Sequence, residues 1–181
     1  MKTIFKIAGM AAVALLVFAG MSFMFKPDYA NSSVSFKIKN ASINVDGSFK
    51  TFETAIDFNE TFNGPSYVKT TIQTTSVDTG MEGRDNHLRK SDFFDVAQFP
   101  TMTFESSKIR KSTNGSFIAD GKLVIKGVSK DVSIPFTYTG NASSGVFEGG
   151  IKLNRLDYGV GGKSLTMSDD VEVKFKITAS R

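Results

Sequence analysis

Residues 84–100, RDNHLRKSDFFDVAQFP, interrupt a regular alternation of apolar and polar residues. Asp85 and Arg89 lie four residues apart, the spacing at which side chains pair on a helix, so we predict a short helix near 82–90 that contains this pair. Pro100 holds the residue before it in extended backbone, which returns the chain to a strand. The stretch is therefore predicted to be a partly helical plug among β-strands.

Several side chains of this plug are candidates for contact with a ligand. Leu88, Phe93 and Phe94 would contact a ligand's apolar tail, or line the mouth of a cavity, if the plug is a lid. His87 is the only histidine in the chain. It is either a hydrogen-bonded structural residue or a polar hook for a ligand's head group. The sequence leaves open whether the plug gates a cavity or only fills one end of the fold.

The rest of the chain from residue 34 onward has a period of two. Val34, Phe36 and Ile38, for example, alternate with polar residues, which is typical of strands with one buried and one solvated face. At least eight such segments follow one another, separated by turn signals such as Asn114-Gly115. They predict an antiparallel sheet that closes into a barrel or folds into a two-sheet sandwich. The chain's 17 phenylalanines supply more aromatic surface than filling a small barrel requires.

The beginning of the chain predicts export. Lys2 and Lys6 precede an uncharged, largely apolar run that ends at Phe25, which is the arrangement of a secretory signal with small residues suited to cleavage after Ala19. The run is also long enough to span a bilayer as an uncleaved anchor. The chain then divides into a signal peptide or signal anchor at 1–25, a linker at 26–33 and one domain at 34–181. We expect that domain in the periplasm or secreted, or anchored in the inner membrane and facing the periplasm.

Composition limits the chemistry. With no cysteine and one histidine, only carboxylates would remain as additional metal ligands, so we expect no metal and no cofactor. The net charge is only +4, and lysines such as Lys174 and Lys176 alternate along strands, which indicates a solvated face rather than a stripe for nucleic acid. No G-x-S-x-G motif is present, and His87 would be the only base of the usual type. We therefore do not expect catalysis.

Two features near the C-terminus are open to a functional reading. Arg155 and Asp157 share the strand parity of Leu153, which predicts that both point inward as a buried ion pair, or alternatively as a hook for a polar head group. The glycine-rich run 159–162 is followed by no helical pattern, so we interpret it as a strand connection rather than a phosphate cradle.

Four motifs occur in order and span nearly the whole predicted domain. The plug fits R-D-x-H-L-x-x-x-D-F-F-D-x-x-x-F-P and is followed by the predicted strand Thr101–Ser106. The other motifs are NASINVDGSF at 40–49, DGKLVIKGVSKDV at 120–132 and NRLDYG at 154–159. Together they resemble the YceI-like family of bacterial lipid- and polyisoprenoid-binding proteins.

The resemblance implies an all-β fold, an extended antiparallel lipocalin-like β-barrel of about eight strands with a short helical plug and an apolar tunnel. It also implies a ligand, an apolar chain lipid of isoprenoid quinone or polyprenol type, held by a periplasmic carrier or sequestering protein. Strand parity and the plug together give the predicted wall of the tunnel. Its residues are Phe36, Ile38, Val45, Phe49, Ile56, Ile72, His87, Leu88, Phe93, Phe94, Phe104, Leu123, Ile125, Ile134, Phe136, Phe147, Ile151, Val173 and Phe175.

Two other functions stay open at this point. The same tunnel would serve an enzyme that acts on a lipid-like substrate, and a barrel with a filled core would serve as a scaffold for another protein. We expect no nucleic-acid partner, and membrane contact only transiently or through an uncleaved leader. The sequence does not give the oligomeric state, and a dimer is compatible with it.

Overall fold

The structure is a computed structural model that describes residues 24–59, 61 and 66–181. Within these residues the chain forms ten β-strands and one α-helix, with short 3-10 helices at Thr74–Ser76 and Arg155–Tyr158. The bounds are β1 Met24–Asn40, β2 Ile43–Phe49, β3 Phe52–Asp57, β4 Tyr67–Gln73, β5 Val77–Asp78, α1 Glu82–Leu88, β6 Thr101–Lys111, β7 Phe117–Ile125, β8 Val128–Gly140, β9 Ser144–Asn154 and β10 Met167–Ser180.

The strands form a closed ring. Every pairing is antiparallel, and the order β10-β9-β8-β7-β6-β4-β3-β1 is closed by pairing of β1 with β10. β2 and β3 both pair with β1, while β5 pairs with β2 and β4 pairs with β3. The segments β2–β3 and β4–β5 therefore each occupy one position in the wall, which gives an eight-position barrel. This confirms the predicted all-β barrel and excludes the two-sheet sandwich.

The alternation of the sequence explains why these segments are strands. In β3, Phe52, Thr54 and Ile56 are buried, while Glu53 between them is exposed. In β10, the apolar residues of VEVKFKI face the interior and its charged residues are exposed. Each strand thus contributes one apolar face to the inside of the ring and one polar face to water.

The two ends of the barrel differ. At one end, here called the closed end, aromatic rings pack edge to face: Phe58 lies 5.0 Å from Phe117 and 5.3 Å from Phe147, and Phe25 lies 5.4 Å from Phe147, measured between ring centroids. The termini of the described barrel, at Met24 and Arg181, lie at this end. The opposite end carries the tight β1–β2 and β7–β8 turns and the plug.

The predicted linker at 26–33 is wrong, because these residues belong to β1. Lys26, Pro27 and Asp28 pair with β10, and the ladder resumes at Ser33 after an irregularity. Hydrogen bonds within the irregular part, such as Asn31 Nδ2 to Asp28 Oδ2 at 2.8 Å, satisfy its polar groups. The polar composition that indicated a linker therefore belongs to a bulge within a strand.

The predicted signal at 1–25 falls almost entirely on residues 1–23, outside the described part of the chain. The predicted end of the signal at residue 25 is wrong, because Phe25 is buried in the aromatic cluster of the closed end. A leader that ended after Ala19 would leave this first strand complete. Among the described residues, no helix has both the length and the hydropathy of a membrane span.

The closed end makes a stability prediction. Phe58 is 2% exposed and contacts the rings of four aromatic residues. Phe58→Ala should lower the free energy of unfolding by about 3–5 kcal/mol, because it removes buried surface and leaves a void among rings that cannot collapse. The measurement is a denaturant titration followed by fluorescence or circular dichroism. Ile43→Ala, at an exposed position, is the control and should change stability by about 0.5 kcal/mol or less. Equal effects of the two substitutions would contradict this account of the closed end.

Candidate functional site

The barrel encloses a cavity of about 480 Å³. Its walls come from every position of the ring and from the plug, and they are overwhelmingly apolar. Every wall residue predicted from the sequence lies on this cavity, from Phe36 in β1 to Phe175 in β10 and from His87 to Phe94 in the plug. Contact between these residues and a ligand stays a prediction.

The sequence analysis did not select some wall residues that strand parity would have identified. Val34 has the parity of Phe36, and Val171 has the parity of Val173, and both line the cavity. Other omitted residues belong to the 3-10 helix and its connection, such as Tyr158 and Val160. Their alternation does not follow a strand, so no periodic signal could identify them.

The cavity opens at one end. The wall residues that are exposed to solvent are Asn40, His87, Ser164 and Thr166, and we call the opening that they surround the mouth. The deepest wall residues, such as Phe58 and Phe147, are buried in the aromatic cluster. A ligand would therefore enter lengthwise, with one end near the aromatic cluster and the other at the mouth.

The interior leaves no polar group in need of a partner. The hydroxyl oxygens of Thr54 and Thr70 lie 2.9 Å apart and hydrogen-bond to each other. Within the described residues, no buried side-chain nitrogen or oxygen lacks a hydrogen bond. Burial of an apolar chain against these walls would thus break no hydrogen bond of the protein, which removes the main penalty for filling such a cavity.

The first half of the plug is the predicted helix, α1, but its predicted ion pair is wrong. The buried carboxylate of Asp85 accepts hydrogen bonds from the backbone nitrogen and the hydroxyl of Thr79, at 2.9 and 2.5 Å. The guanidinium of Arg89 donates instead to the carbonyls of Thr75 and Val77, both at 2.9 Å. Both side chains thus satisfy backbone groups that the end of a sheet leaves unpaired, and so they fix the plug to the strand before it.

The second half of the plug sets its two phenylalanines in different places. Phe94 points into the core, with its ring 5.6 Å from that of Phe49. Phe93 lies at the mouth, 4.9 Å from the ring of His87. Lys126 holds this half from the opposite side, because its ammonium donates to the carbonyls of Ser91 and Gly159 at 2.7 and 2.9 Å, respectively.

His87 lies at the mouth with its side chain exposed, and its Nε2 is 2.7 Å from a carboxylate oxygen of Asp92. This hydrogen bond holds the pKa of Asp92 below its usual value of 3.8. Because the folded-state pKa of Asp92 is lowered, the stabilisation is present above the unfolded-state pKa and is lost as the pH falls through the folded-state pKa. His87 therefore has a structural partner and a position facing the ligand at the same time.

Arg84 is a mouth residue that the sequence analysis did not select. Its Nε and Nη2 donate to the hydroxyl and carbonyl oxygens of Thr79, at 2.7 and 2.9 Å. It lines the cavity and forms no ion pair with any carboxylate of the described residues. Arg84 thus brings a guanidinium to the cavity wall without a direct ion pair, and the hydroxyl of Thr79 bridges it to the carboxylate of Asp85.

The predicted inward pair of Arg155 and Asp157 is wrong. Arg155 is 5% exposed, but its partners are the carbonyls of Ser168 and Val160 and, at 3.2 Å, a carboxylate oxygen of Asp169. Asp157 instead forms a surface ion pair with Lys130, with an Nζ–Oδ2 distance of 3.0 Å. The parity argument failed because residues 155–158 form a 3-10 helix, in which alternate residues do not share a face. Burial of the neighbouring ring in the same helix raises the pKa of Tyr158.

The connection after this helix makes a second prediction. Gly161 has a φ of +69°, and a Cβ there would lie 2.9 Å from both Arg155 Nη1 and Phe93 Cε1. Gly161→Ala should lower the free energy of unfolding by about 1–2 kcal/mol from the backbone strain alone. Gly162→Ala is the matched control, since a Cβ there meets no atom within 4 Å. Thermal and denaturant unfolding of both variants measure the difference, and equal stabilities would show that the positive φ at position 161 does not strain an alanine there.

Comparison with known proteins gives a consistent assignment. The protein-family model for the YceI-like domain matches residues 25–179. The chain is 31% identical over 165 residues to a UPF0312 protein of Azotobacter vinelandii, which covers 85% of this chain and 86% of that protein.

Two solved structures have the same fold. The crystal structure of Burkholderia cenocepacia BcnA matches with a TM-score of 0.82 at 28% identity, over 86% of this chain and 100% of that one. A domain from Saccharophagus degradans, described as polyisoprenoid binding, matches with a TM-score of 0.66 at 15% identity, over 87% of this chain and 97% of that domain. At that identity the second likeness concerns the fold alone.

Proposed function

The chain belongs to the YceI-like family, and from that membership and the shape of its cavity we propose that it binds one elongated apolar chain lipid inside the barrel. The observation that carries the proposal is the apolar cavity, which is closed by aromatic rings at one end and open at the other. Each methylene group that such a cavity removes from water contributes ~0.8 kcal/mol, so a long chain gains enough to offset the cost of ordering it. An isoprenoid quinone or a polyprenol combines a long apolar chain with one polar end.

The mouth supports a defined orientation for this ligand. Within the described residues the interior has no buried side-chain nitrogen or oxygen without a hydrogen bond, whereas the mouth carries the exposed imidazole of His87 and, beside it, the guanidinium of Arg84. The apolar chain therefore points toward Phe58 and Phe147, and any polar head group stays at the mouth. This is the arrangement in which neither the ligand nor the protein buries an unsatisfied polar group.

We propose a carrier or sequestering role in the periplasm, not a catalytic one. The signal-like residues at the start of the chain support export, and the Val17–Ala19 region offers a cleavage site upstream of the first strand. Catalysis receives no comparable support, because within the described residues His87 is hydrogen-bonded to Asp92 and to no hydroxyl group that could serve as a nucleophile.

Native mass spectrometry of protein purified without detergent, followed by lipid extraction, tests the binding proposal. Val173 lines the cavity, so Val173→Trp should reduce the bound lipid to a small fraction of the wild-type amount by occupying its space. Thr139→Trp adds the same ring at an exposed position of β8 and should leave the bound lipid unchanged. Phe175→Asp should abolish binding by placing a charge in the wall. Wild-type lipid content in both cavity variants would show that the ligand does not lie inside the barrel.

The plug gives a kinetic prediction about the same ligand. Phe93 covers the mouth, whereas Phe94 packs on Phe49 in the core. If the plug gates the cavity, Phe93→Ala should speed release of a bound fluorescent isoprenoid with little change in melting temperature. Phe94→Ala should instead lower stability, by less than the ~3–5 kcal/mol of a fully buried phenylalanine because Phe94 is only partly buried.

Hydrogen exchange gives a second measure of gating. Lids belong to the less stable parts of a fold, so the amides of residues 84–100 should exchange faster than those of the strands, and ligand should slow them selectively. An unchanged release rate in Phe93→Ala, together with strand-like protection of the plug, would assign the plug to the permanent core.

A further inference from the structure

A small surface beside the mouth combines exposed apolar and basic side chains, and we propose that it docks the barrel onto an anionic lipid bilayer. The surface, here called the tip, consists of Lys39 and Ile43 at the β1–β2 turn and Lys163 and Leu165 in the connection before β10. The binding of a lipid inside the barrel does not itself require this surface. The tip would be the place where the bound lipid is exchanged with a bilayer. Docking through the tip can be tested with no lipid inside the barrel.

The apolar part of the tip is unusual for this chain. Ile43 is 69% exposed and Leu165 is fully exposed, the two highest values among the large exposed apolar residues of the described chain. Two more of these residues, Met81 and Val128, also lie at the mouth end. Large apolar side chains that project into water at one end of a protein indicate a surface that meets an apolar environment.

The tip has a defined structure. Asn40 pairs with both Ile43 and Met167, and the backbone nitrogen of Ala41 donates to the carbonyl of Thr166 at 2.9 Å. Within the second segment, the hydroxyl of Ser164 accepts hydrogen bonds from the backbone nitrogens of Thr166 and Met167. These bonds turn the chain so that Leu165 projects outward while its two neighbours, Ser164 and Thr166, line the mouth.

The charge of the tip is complementary to anionic lipid. Lys39 and Lys163 are exposed and form no ion pair with any described residue. The acidic residues that follow the two segments of the tip, Asp46 and Asp169, are paired with Lys37 and Arg155. Elsewhere on the barrel the lysines are mostly neutralised, as in the pairs of Lys69 with Glu105 and Lys152 with Asp170. Basic side chains around projecting apolar ones are the pattern of a surface held at a membrane interface.

The tip lies next to the mouth, and this position indicates what docking would achieve. Its residues alternate in sequence with the mouth residues Asn40, Ser164 and Thr166, so docking would bring the opening against the bilayer. An apolar chain could then pass between the bilayer and the cavity without crossing water, which avoids the hydration penalty of each exposed methylene group. A protein partner fits less well, because two projecting side chains do not make the broad complementary patch of a stable protein interface.

Site-specific fluorescence tests this proposal with the processed chain, from which the leader has been removed. Because the chain contains no cysteine, Leu165→Cys creates a single labelling site for an environment-sensitive nitrobenzoxadiazole probe. Its emission should rise and shift to the blue on addition of vesicles of phosphatidylcholine with phosphatidylglycerol, and less so with phosphatidylcholine alone. Thr113→Cys, in the exposed β6–β7 turn at the closed end, should show no such change. An equal response at both sites, or a response at Thr113 only, would overturn the proposal.

A matched set of charge variants separates the tip from net charge. Lys39→Gln with Lys163→Gln should weaken binding to the anionic vesicles by about tenfold or more, as expected for the loss of two basic residues at a membrane surface. Lys26→Gln with Lys108→Gln removes the same charge nearer the closed end and should change binding little. Ile43→Asn should lower the probe response at position 165. Equal binding by both double variants would contradict docking through the tip.

Native mass spectrometry of the tip variants keeps this test independent of the binding proposal. Retained lipid with lost vesicle docking supports the tip and leaves the cavity function intact. Normal docking by a wild-type protein that never contains lipid would support the tip and remove the proposed cargo. Wild-type docking by the tip variants would remove the tip, whatever their lipid content.

Discussion

The pairing of β1 with β10 closes the barrel, and the enclosed cavity exists only because of this closure. These first and last strands join along most of their length, from Lys26 with Ser180 to Asn40 with Met167. Their pairing leaves the ring without an open edge, so the inward faces of all strands share one enclosed space. The bulge at 28–33 divides β1 into two parts. The part before it, at Met24 and Phe25, pairs with β3, and the part after it, from Val34 onward, pairs with β2.

The same ring is solid at one end and hollow toward the other because of the side chains it encloses. Rings such as those of Phe58, Phe117 and Phe136 fill the closed end by contact with one another. Toward the mouth, inward residues such as Ile38 and Val171 are smaller and only half-buried, and they line the cavity. A close-packed protein interior tolerates such a space only where its walls are apolar, and these walls are.

Much of this architecture could be predicted from the sequence, but its polar contacts could not. Alternation of apolar residues is a local property, so it identified the strands and the wall of the cavity, while the resemblance to a family selected the barrel over the sandwich. Asp85, Arg89 and Arg155 were assigned partners by sequence spacing, and all three assignments were wrong. Each of these side chains instead satisfies polar groups brought near by tertiary structure, in part backbone groups left unpaired where strands end, and spacing carries no information about those groups.

The arrangement of the two ends also connects export with membrane docking. Met24 begins β1 at the closed end, whereas Leu165 projects from the mouth end. A leader that stayed attached as an anchor would hold the closed end toward the membrane and turn the mouth away from that bilayer. Removal of the leader would free the barrel to approach a bilayer by its tip. Docking by the tip on the bilayer to which the leader was attached therefore requires cleavage of that leader. An anchored barrel of this geometry could present its mouth only to a different membrane.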